Sequence, residues 1–462
     1  MLSASMPALA TTYTWTGGNG SSNSWYYAGN WAGNTTPLDD NLADYVFAAS
    51  GWNATQTTIV IGGADSCPEA ETLTFNGNPT VTGNTSVPLT IQIGSGNSLY
   101  LSPSSSGGTT IAVAQTGATQ TIAGSSGAYV QLGGNQQWSV DGTLNVSAVL
   151  WGDTESLAPN LIKTGAGTLI LSGNNSFTGP ITIDQGVLSV STIANKGKAC
   201  NLGAGDLTLS GGVLSYTGTA ANVSTDRGFA LAGSGGTIDV HNATTSLTFT
   251  GAVTGSQAGL TKTGSGTLIL SGANSYTGLT TVQQGALEIA NPTAVTNLLT
   301  AGANVTGGEL MIDATGAAAD TTVRLDLKNS VIYDSTKGTD IALGYFDNGT
   351  KIIIEPTYLG DATGNGYVDI SDLSALGLNW HQHAGTSTWA QGDFNYDGNV
   401  DISDLSALGL SWHATQLPTP LELQLDGGTI TAVPEPSSVI MLATFVGLVG
   451  AWWGIGRRPA GQ

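Results

Sequence analysis

The sequence predicts a mainly β chain. A parallel β-solenoid is expected first, then a small α-helical module on two acidic loops, then an apolar C-terminal helix. Three observations carry this expectation. Gly, Thr, Ser and Asn dominate a chain with 66 Gly and only 9% charged residues. A 30-residue segment recurs at an offset of 99 residues, and a 12-residue Asp-, Asn- and Gly-rich pattern recurs at an offset of 32.

Thr and Val favour strands, while Gly and Asn favour tight turns, so the composition suits many short strands. At 462 residues the chain has room for two or three domains. Its net charge is −21, and the first basic residue is Lys163. A nucleic-acid partner requires a cationic footprint to neutralise phosphates, so that partner class is excluded. The acidic balance fits extracellular solubility or divalent-cation binding. Cys67 and Cys200 are far apart and in no CxxC pair. One disulfide and two separate thiols both remain open.

Residues 1–10 read MLSASMPALA. Ala8-Leu9-Ala10 has the small-residue form of a signal-peptidase site, without a basic n-region, and is expected to be the end of an export signal.

The solenoid is assigned to residues 11–355. Leu161 to Val190 and Leu260 to Ile289 are identical at nineteen of 30 positions. In the first copy, Thr168-Leu169-Ile170-Leu171 alternates as a strand and Gly173-Asn174-Asn175 is a turn. Ile181-Thr182-Ile183 and Val187-Leu188-Ser189-Val190 are further strands. Three short strands in about 30 residues are expected to form one coil, and the offset suggests about four coils of roughly 25 residues. The shared K-T-G-x-G-T-L-x-L-S-G-x-N-S-[FY]-T-G resembles the autotransporter-associated β-strand repeat. That resemblance implies right-handed β-helix character, export and surface display.

Upstream, Tyr13, Trp15, Trp25, Trp31 and Trp52 form an aromatic opening. It resembles the segment that often precedes such repeats in large exported proteins. Two uses are open: a cap over the first coil's edge, or exposed rings that stack on sugars.

The module at residues 358–413 carries the metal-site pattern. Asp361, Thr363, Asn365, Tyr367, Asp369 and Asp372 occupy positions 1, 3, 5, 7, 9 and 12 of one loop. Asp393, Asn395, Asp397, Asn399, Asp401 and Asp404 occupy the same positions of the other. Calcium takes six or more hard oxygens. In such a loop Tyr367 and Asn399 give backbone carbonyls, and the acid at position 12 closes the shell. Gly366 and Gly398 stand at position 6, where the chain bends sharply. Between 361 and 404 there are seven Asp and no Lys or Arg, so calcium is the expected cofactor and folding is expected to be linked to it.

After each loop, Ile370, Leu373, Leu376 and Trp380, and Ile402, Leu405, Leu408 and Trp412, fall at helical spacing, so a helix is expected there. The duplicated EF-hand-like loop and helix resembles a type I dockerin. This implies a cohesin-like partner, recognised in part through Ile370-Ser371 and Ile402-Ser403. Thr363 departs from the usual Asp or Asn and weakens the first site. Gly377 and Gly409 each cost their helix about 1 kcal/mol relative to Ala.

A linker over 414–432 precedes the tail at 433–462. Val433-Pro434-Glu435-Pro436-Ser437 is followed by an uncharged run of 17 residues from Val439 to Ile455, then Arg457-Arg458. The run is long enough to cross a thin bilayer, and the basic end favours the cytoplasmic side. The arrangement resembles the PEP-CTERM sorting signal, which implies processing by an exosortase-type enzyme.

No HExxH, Walker A or strand-turn-helix GxSxG pattern occurs, and the chain is not expected to be an enzyme. His381, His383 and His413 fall where helices should end. The expected role is that of an exported structural or adhesive protein of the cell surface or matrix, with membrane anchoring through 439–455. The alternative is a polysaccharide-binding or polysaccharide-degrading component recruited through the dockerin-like module.

Overall fold

The structure is a computed structural model. It describes residues 11–16, 24–36, 43–48, 58–61, 69–70, 72–76, 88–101, 103, 109–114, 117–152, 158–291, 298, 301–314, 317–383 and 385–414. The chain divides into two units, Met1–Leu421 and Glu422–Gln462. The second unit, with the Pro-Glu-Pro tail and apolar run, lies outside the described residues, as do residues 1–10 and most of the 414–432 linker.

The body is mainly β and forms a parallel β-solenoid of the right-handed type with few helices. Successive short strands stack in register into sheets of ten, twelve, four and seven strands among the described residues. Alternation decides which side chains enter the core. Thr168–Leu171 buries Leu169 and Leu171, and Thr267–Leu270 buries Leu268 and Leu270. A one-residue slip would turn these leucines to solvent, which pins the register.

The two repeats differ from the expected single coil of three strands. Each holds four strands. Leu161–Thr164 pairs with Ile181–Ile183, and Thr168–Leu171 pairs with Val187–Val190, so one 30-residue unit crosses the same two faces twice. In the first copy those faces are the ten- and twelve-stranded sheets. In the second copy, Leu260–Thr263 and Thr267–Leu270 lie in the twelve- and seven-stranded sheets. The 99-residue offset therefore carries the chain four coils and one further face, not a whole number of coils.

Between strand pairs, the S-G-x-N-S-[FY]-T-G loop replaces a strand. Phe177 and Tyr276 point into the core from it. Asn175 Oδ1 accepts from the Leu150 amide, and Asn274 Oδ1 from the Val253 amide, both at 2.8 Å. Each Asn thus takes over a ladder bond for the coil beneath. Gly179 is required by contact, because a Cβ there would stand 1.9 Å from the Pro159 carbonyl oxygen.

The N-terminal end is closed by Trp15, Trp25, Trp31 and Tyr45, all buried, with Tyr13 stacked on Tyr45 at 5.8 Å. Trp31 Nε1 donates to the Trp25 carbonyl at 2.8 Å. This burial favours the cap over sugar stacking for these rings. Trp52 lies outside the described residues.

At the other end the parallel ladder reaches Ile332–Tyr333 and then changes character. A helix not foreseen in the sequence, α1 (Ala317–Lys328), precedes that strand, with Asp320 in its first turn and Lys328 in its last, matching the helix dipole. Ile352–Tyr358 then runs antiparallel to Glu309–Ile312 and to Ile341–Asp347. The expected solenoid to 355 thus ends in an antiparallel pair that extends the seven-stranded sheet.

Candidate functional site

The acidic module packs against this antiparallel pair. Its helices, α2 (Ile370–Leu378) and α3 (Ile402–Leu410), have the same sequence. Asp369 and Asp401 are their N-caps, and Asp372 and Asp404 return a bond to complete a capping box in each. The halves interlock reciprocally. Gly360 lies against Leu408 and Gly392 against Leu376, with φ of +107° and +100°. The Val368 carbonyl accepts from His413 N at 3.1 Å, and the Val400 carbonyl from His381 N at 2.9 Å. His381 and His413 both adopt left-handed φ, as residues ending helices do.

Four of the expected ligands, Asp361, Asp372, Asp393 and Asp404, are buried. In the first loop, the Thr363 hydroxyl stands 3.3 Å from Asp361 Oδ1 and 3.1 Å from Asp372 Oδ1, so positions 1, 3 and 12 come together. Asp361 also accepts from Gly364 N, Asn365 N and Gly366 N. Asn365 and Tyr367 are exposed, and Asn365 Oδ1 accepts from Tyr367 N.

In the second loop, Asp393 accepts from Asp397 N and Gly398 N, and Asp404 from Phe394 N. Asn395 Oδ1 receives Asp397 N, and Asp397 Oδ1 receives Asn399 N. Asp369 and Asp401 are committed to their helix caps. Among the described residues, no group of three His, Cys, Asp or Glu side chains is arranged to hold a metal ion. The buried carboxylates are turned instead toward backbone N–H groups.

Burial raises the Asp393 carboxyl to about 7, helped by the charges of Asp404 and Asp397 and opposed by the Gly398 amide and Arg324. Burial likewise raises Asp372 and Asp404. Paired, buried, like-charged carboxylates among hydroxyl, amide and carbonyl oxygens are the donor set of a hard divalent cation. The donor chemistry is of the kind calcium takes, while the arrangement of the described residues turns it toward backbone N–H groups.

Ile370 and Ile402 are exposed. They share the outer face with Leu378 and Leu410, which are 85% and 74% exposed. The buried positions are Asp372, Leu376, Asp404 and Leu408. The capping box turns each first helical turn so that its acid, not its isoleucine, faces inward.

Several residues that matter were missed by sequence reasoning. Arg324 of α1 donates to the Tyr396 and Gly385 carbonyls at 2.9 and 2.8 Å, and Tyr396 Oη donates to the Leu343 carbonyl, so solenoid and module are tied together. No local pattern marked them, since the partners are 53–72 residues apart. Glu309 and Glu355 lie one step beyond the paired Leu310 and Ile354 of the antiparallel strands, close enough for the charge of Glu309 to act on Glu355. Burial raises both, and Glu355 reaches about 7, with Glu309 and Asp361 adding to the shift.

Lys163 and Lys262 did carry a signal, recurring at the same place in the two repeats. Both are buried. Lys262 Nζ donates to the carbonyls of Thr263, Gly264 and Gln284 at 2.6, 2.7 and 3.1 Å. Lys163 does the same with Thr164, Gly165 and Gln185. Each ammonium thus clasps the corner of its own coil to that of the next. Cys200 is buried with its thiol 3.3 Å from the Gly203 carbonyl; Cys67 lies outside the described residues.

Fold and site together define a long β-solenoid of low charge that ends in a two-loop acidic module. The passenger-associated-transport-repeat family model matches residues 161–190 and 260–289, the two copies described above. The chain is also similar to the adhesin BmaC autotransporter of Brucella suis biovar 1 (strain 1330). The two are 48% identical over 125 residues, which is 26% of this chain and 4% of that protein. No solved structure matches the chain. Among the described residues, no helix is long and apolar enough to cross a membrane.

Proposed function

We propose that this chain is an exported structural or adhesive protein whose solenoid is displayed at the cell surface or in the surrounding matrix. The observation that carries the reading is the pair of passenger-associated-transport repeats, each folded as stacked coils, beside a 125-residue likeness to an adhesin autotransporter. Stacked coils present long lateral faces and no catalytic step is assigned to them. Shaving intact cells with an added protease tests the display. Loss of the body, with a cytoplasmic marker spared, is the expected result; full protection while the cells stay intact would sink the reading.

In the same proposal the module is a dockerin-like, calcium-binding unit. Asp361, Thr363, Asn365, Asp369 and Asp372, with the Tyr367 carbonyl, would hold one ion. Asp393, Asn395, Asp397, Asp401 and Asp404, with the Asn399 carbonyl, would hold the second. When bound, the cation offsets the repulsion of the buried acids. The outer helix faces with Ile370, Leu378, Ile402 and Leu410 are the surfaces offered to a cohesin-like partner. Sorting through the Pro-Glu-Pro tail, cleavage by an exosortase-type enzyme and anchoring through 439–455 complete the proposal. Intact-mass analysis of envelope and medium fractions reports whether the tail is removed.

A further inference from the structure

We propose that the outer face of the solenoid near Trp151 binds a neutral saccharide chain. The site is a cleft of about 500 Å³ on the four-stranded sheet, lined by Ser125, Ser126, Tyr129, Ser147, Val149 and Trp151. Its origin is a change in corner length. Six residues, 123–128, separate Ile122 from Tyr129. In the next coil only 147 and 148 separate their strand partners, Val146 and Val149. The longer corner overhangs the shorter one and leaves a step.

The overhang is held in place. Ser95 Oγ donates to the Ser126 carbonyl at 2.8 Å, and Gln92 Nε2 donates to Ser125 Oγ at 3.2 Å, both from the preceding coil. Under it, Ala148 packs directly on Gly124, where an added Cβ would stand 3.1 Å away. The cleft is therefore built by backbone packing and does not depend on a ligand to form.

Its lining selects the ligand class. Tyr129 and Trp151 point outward, half-buried, with ring centroids 5.5 Å apart at 68°. Their strand partners put Gln131 beside Trp151 and Tyr100 beside Gln131 on the same outer face. Flat apolar rings next to an amide and several hydroxyls suit the C–H face and hydroxyl rim of a pyranose. The only charged residue from 88 to 152 is Asp141, and no Lys or Arg occurs before Lys163. A uronate or sulfated chain would find no cation here, whereas an uncharged hexose chain needs none. The inference deepens the adhesive reading and rests on it. Surface display is tested on cells and glycan binding on purified protein, so each can fail alone.

The test is calorimetric titration of the full chain with cellohexaose, laminarihexaose and mannohexaose, with polygalacturonate as the anionic comparison. Binding of at least one neutral hexaose is expected, and it survives EDTA because the acidic loops take no part. Trp151→Ala weakens it at least tenfold, while Trp151→Phe, which keeps a ring, weakens it less. Tyr129→Ala, whose folding is checked by circular dichroism, also loses binding. The proposal is overturned if no neutral hexaose binds, if Trp151→Ala binds as tightly as the parent, or if polygalacturonate is preferred.

Discussion

The indole N–H of Trp389 donates to the main-chain carbonyl of Asp361 at 2.6 Å. This bond joins a residue four positions before the second acidic loop to the first residue of the first loop. Trp389 is buried and stacks on Tyr396 with centroids 5.6 Å apart. The two loops are thus one packed unit, and the ring that joins them also reaches the solenoid through the bonds of Tyr396.

Trp389→Phe removes the donor and leaves the buried Asp361 carbonyl without it. Losing such a partner costs about 1–3 kcal/mol. The expected outcome is a lower denaturant midpoint for the module, followed by near-ultraviolet dichroism, with the far-ultraviolet β signal of the solenoid retained. An unchanged midpoint would remove the indole from the coupling.

Calcium is expected to raise the melting temperature of the module, and EDTA to reverse the rise. An ion at about one hundred times its dissociation constant adds about 2.7 kcal/mol per site. Asp404→Asn should lose more of this increment than Asp372→Asn, since Thr363 at position 3 is expected to make the first site the weaker one. Scanning calorimetry with and without the ion reads both effects, and absence of any calcium-dependent shift would retire the calcium assignment.

Lys262→Met keeps the stem's bulk and deletes the ammonium that holds three carbonyls. Burial lowers the Lys262 pKa to about 7 against the pull of Asp239, so removing the charge also removes a desolvation cost. The two effects oppose each other, and the net loss is expected to be about 1–3 kcal/mol. Hydrogen exchange at the coil corners around 263–264 and 284 should accelerate in the variant. If those amides exchange as slowly as before, the clasp is not structural.

Glu355 titrates high in the folded protein, to about 7, because burial and the nearby Glu309 both oppose its charge. A raised carboxyl pKa means that the folded state holds a proton the unfolded chain has released. Its stabilising contribution is complete below the ordinary value of 4.5 and is lost as pH rises through about 7. Glu355→Gln should therefore flatten the fall in melting temperature between those values and leave the protein more stable than the parent at pH 8. An unchanged slope would assign the dependence to other acids.

The strand pattern and the acidic loops could be read from the chain because each depends on spacing within about a dozen residues. Leu169 and Leu171 alternate, and Asp361 to Asp372 follow a loop template. The path from strand to strand was less legible. The 30-residue unit was read as one coil because the loop carrying Phe177 contains no strand yet fills a face. Helix α1 and the antiparallel return of Ile352–Tyr358 escaped notice because their partners lie far along the chain. The helical spacing of Ile370, Leu373 and Leu376 does not say which side faces in; the Asp369–Asp372 capping box fixes that rotation and leaves Ile370 exposed. Glu309 and Glu355 meet only through that same antiparallel return.

The shift of the second repeat by one face has a consequence for how such rods change length. The same unit is accommodated on two different pairs of neighbouring faces, so its sequence does not fix its starting side. An exchange between the two copies would therefore add or remove 99 residues, four windings and one side, so the stack need not change by a whole number of windings.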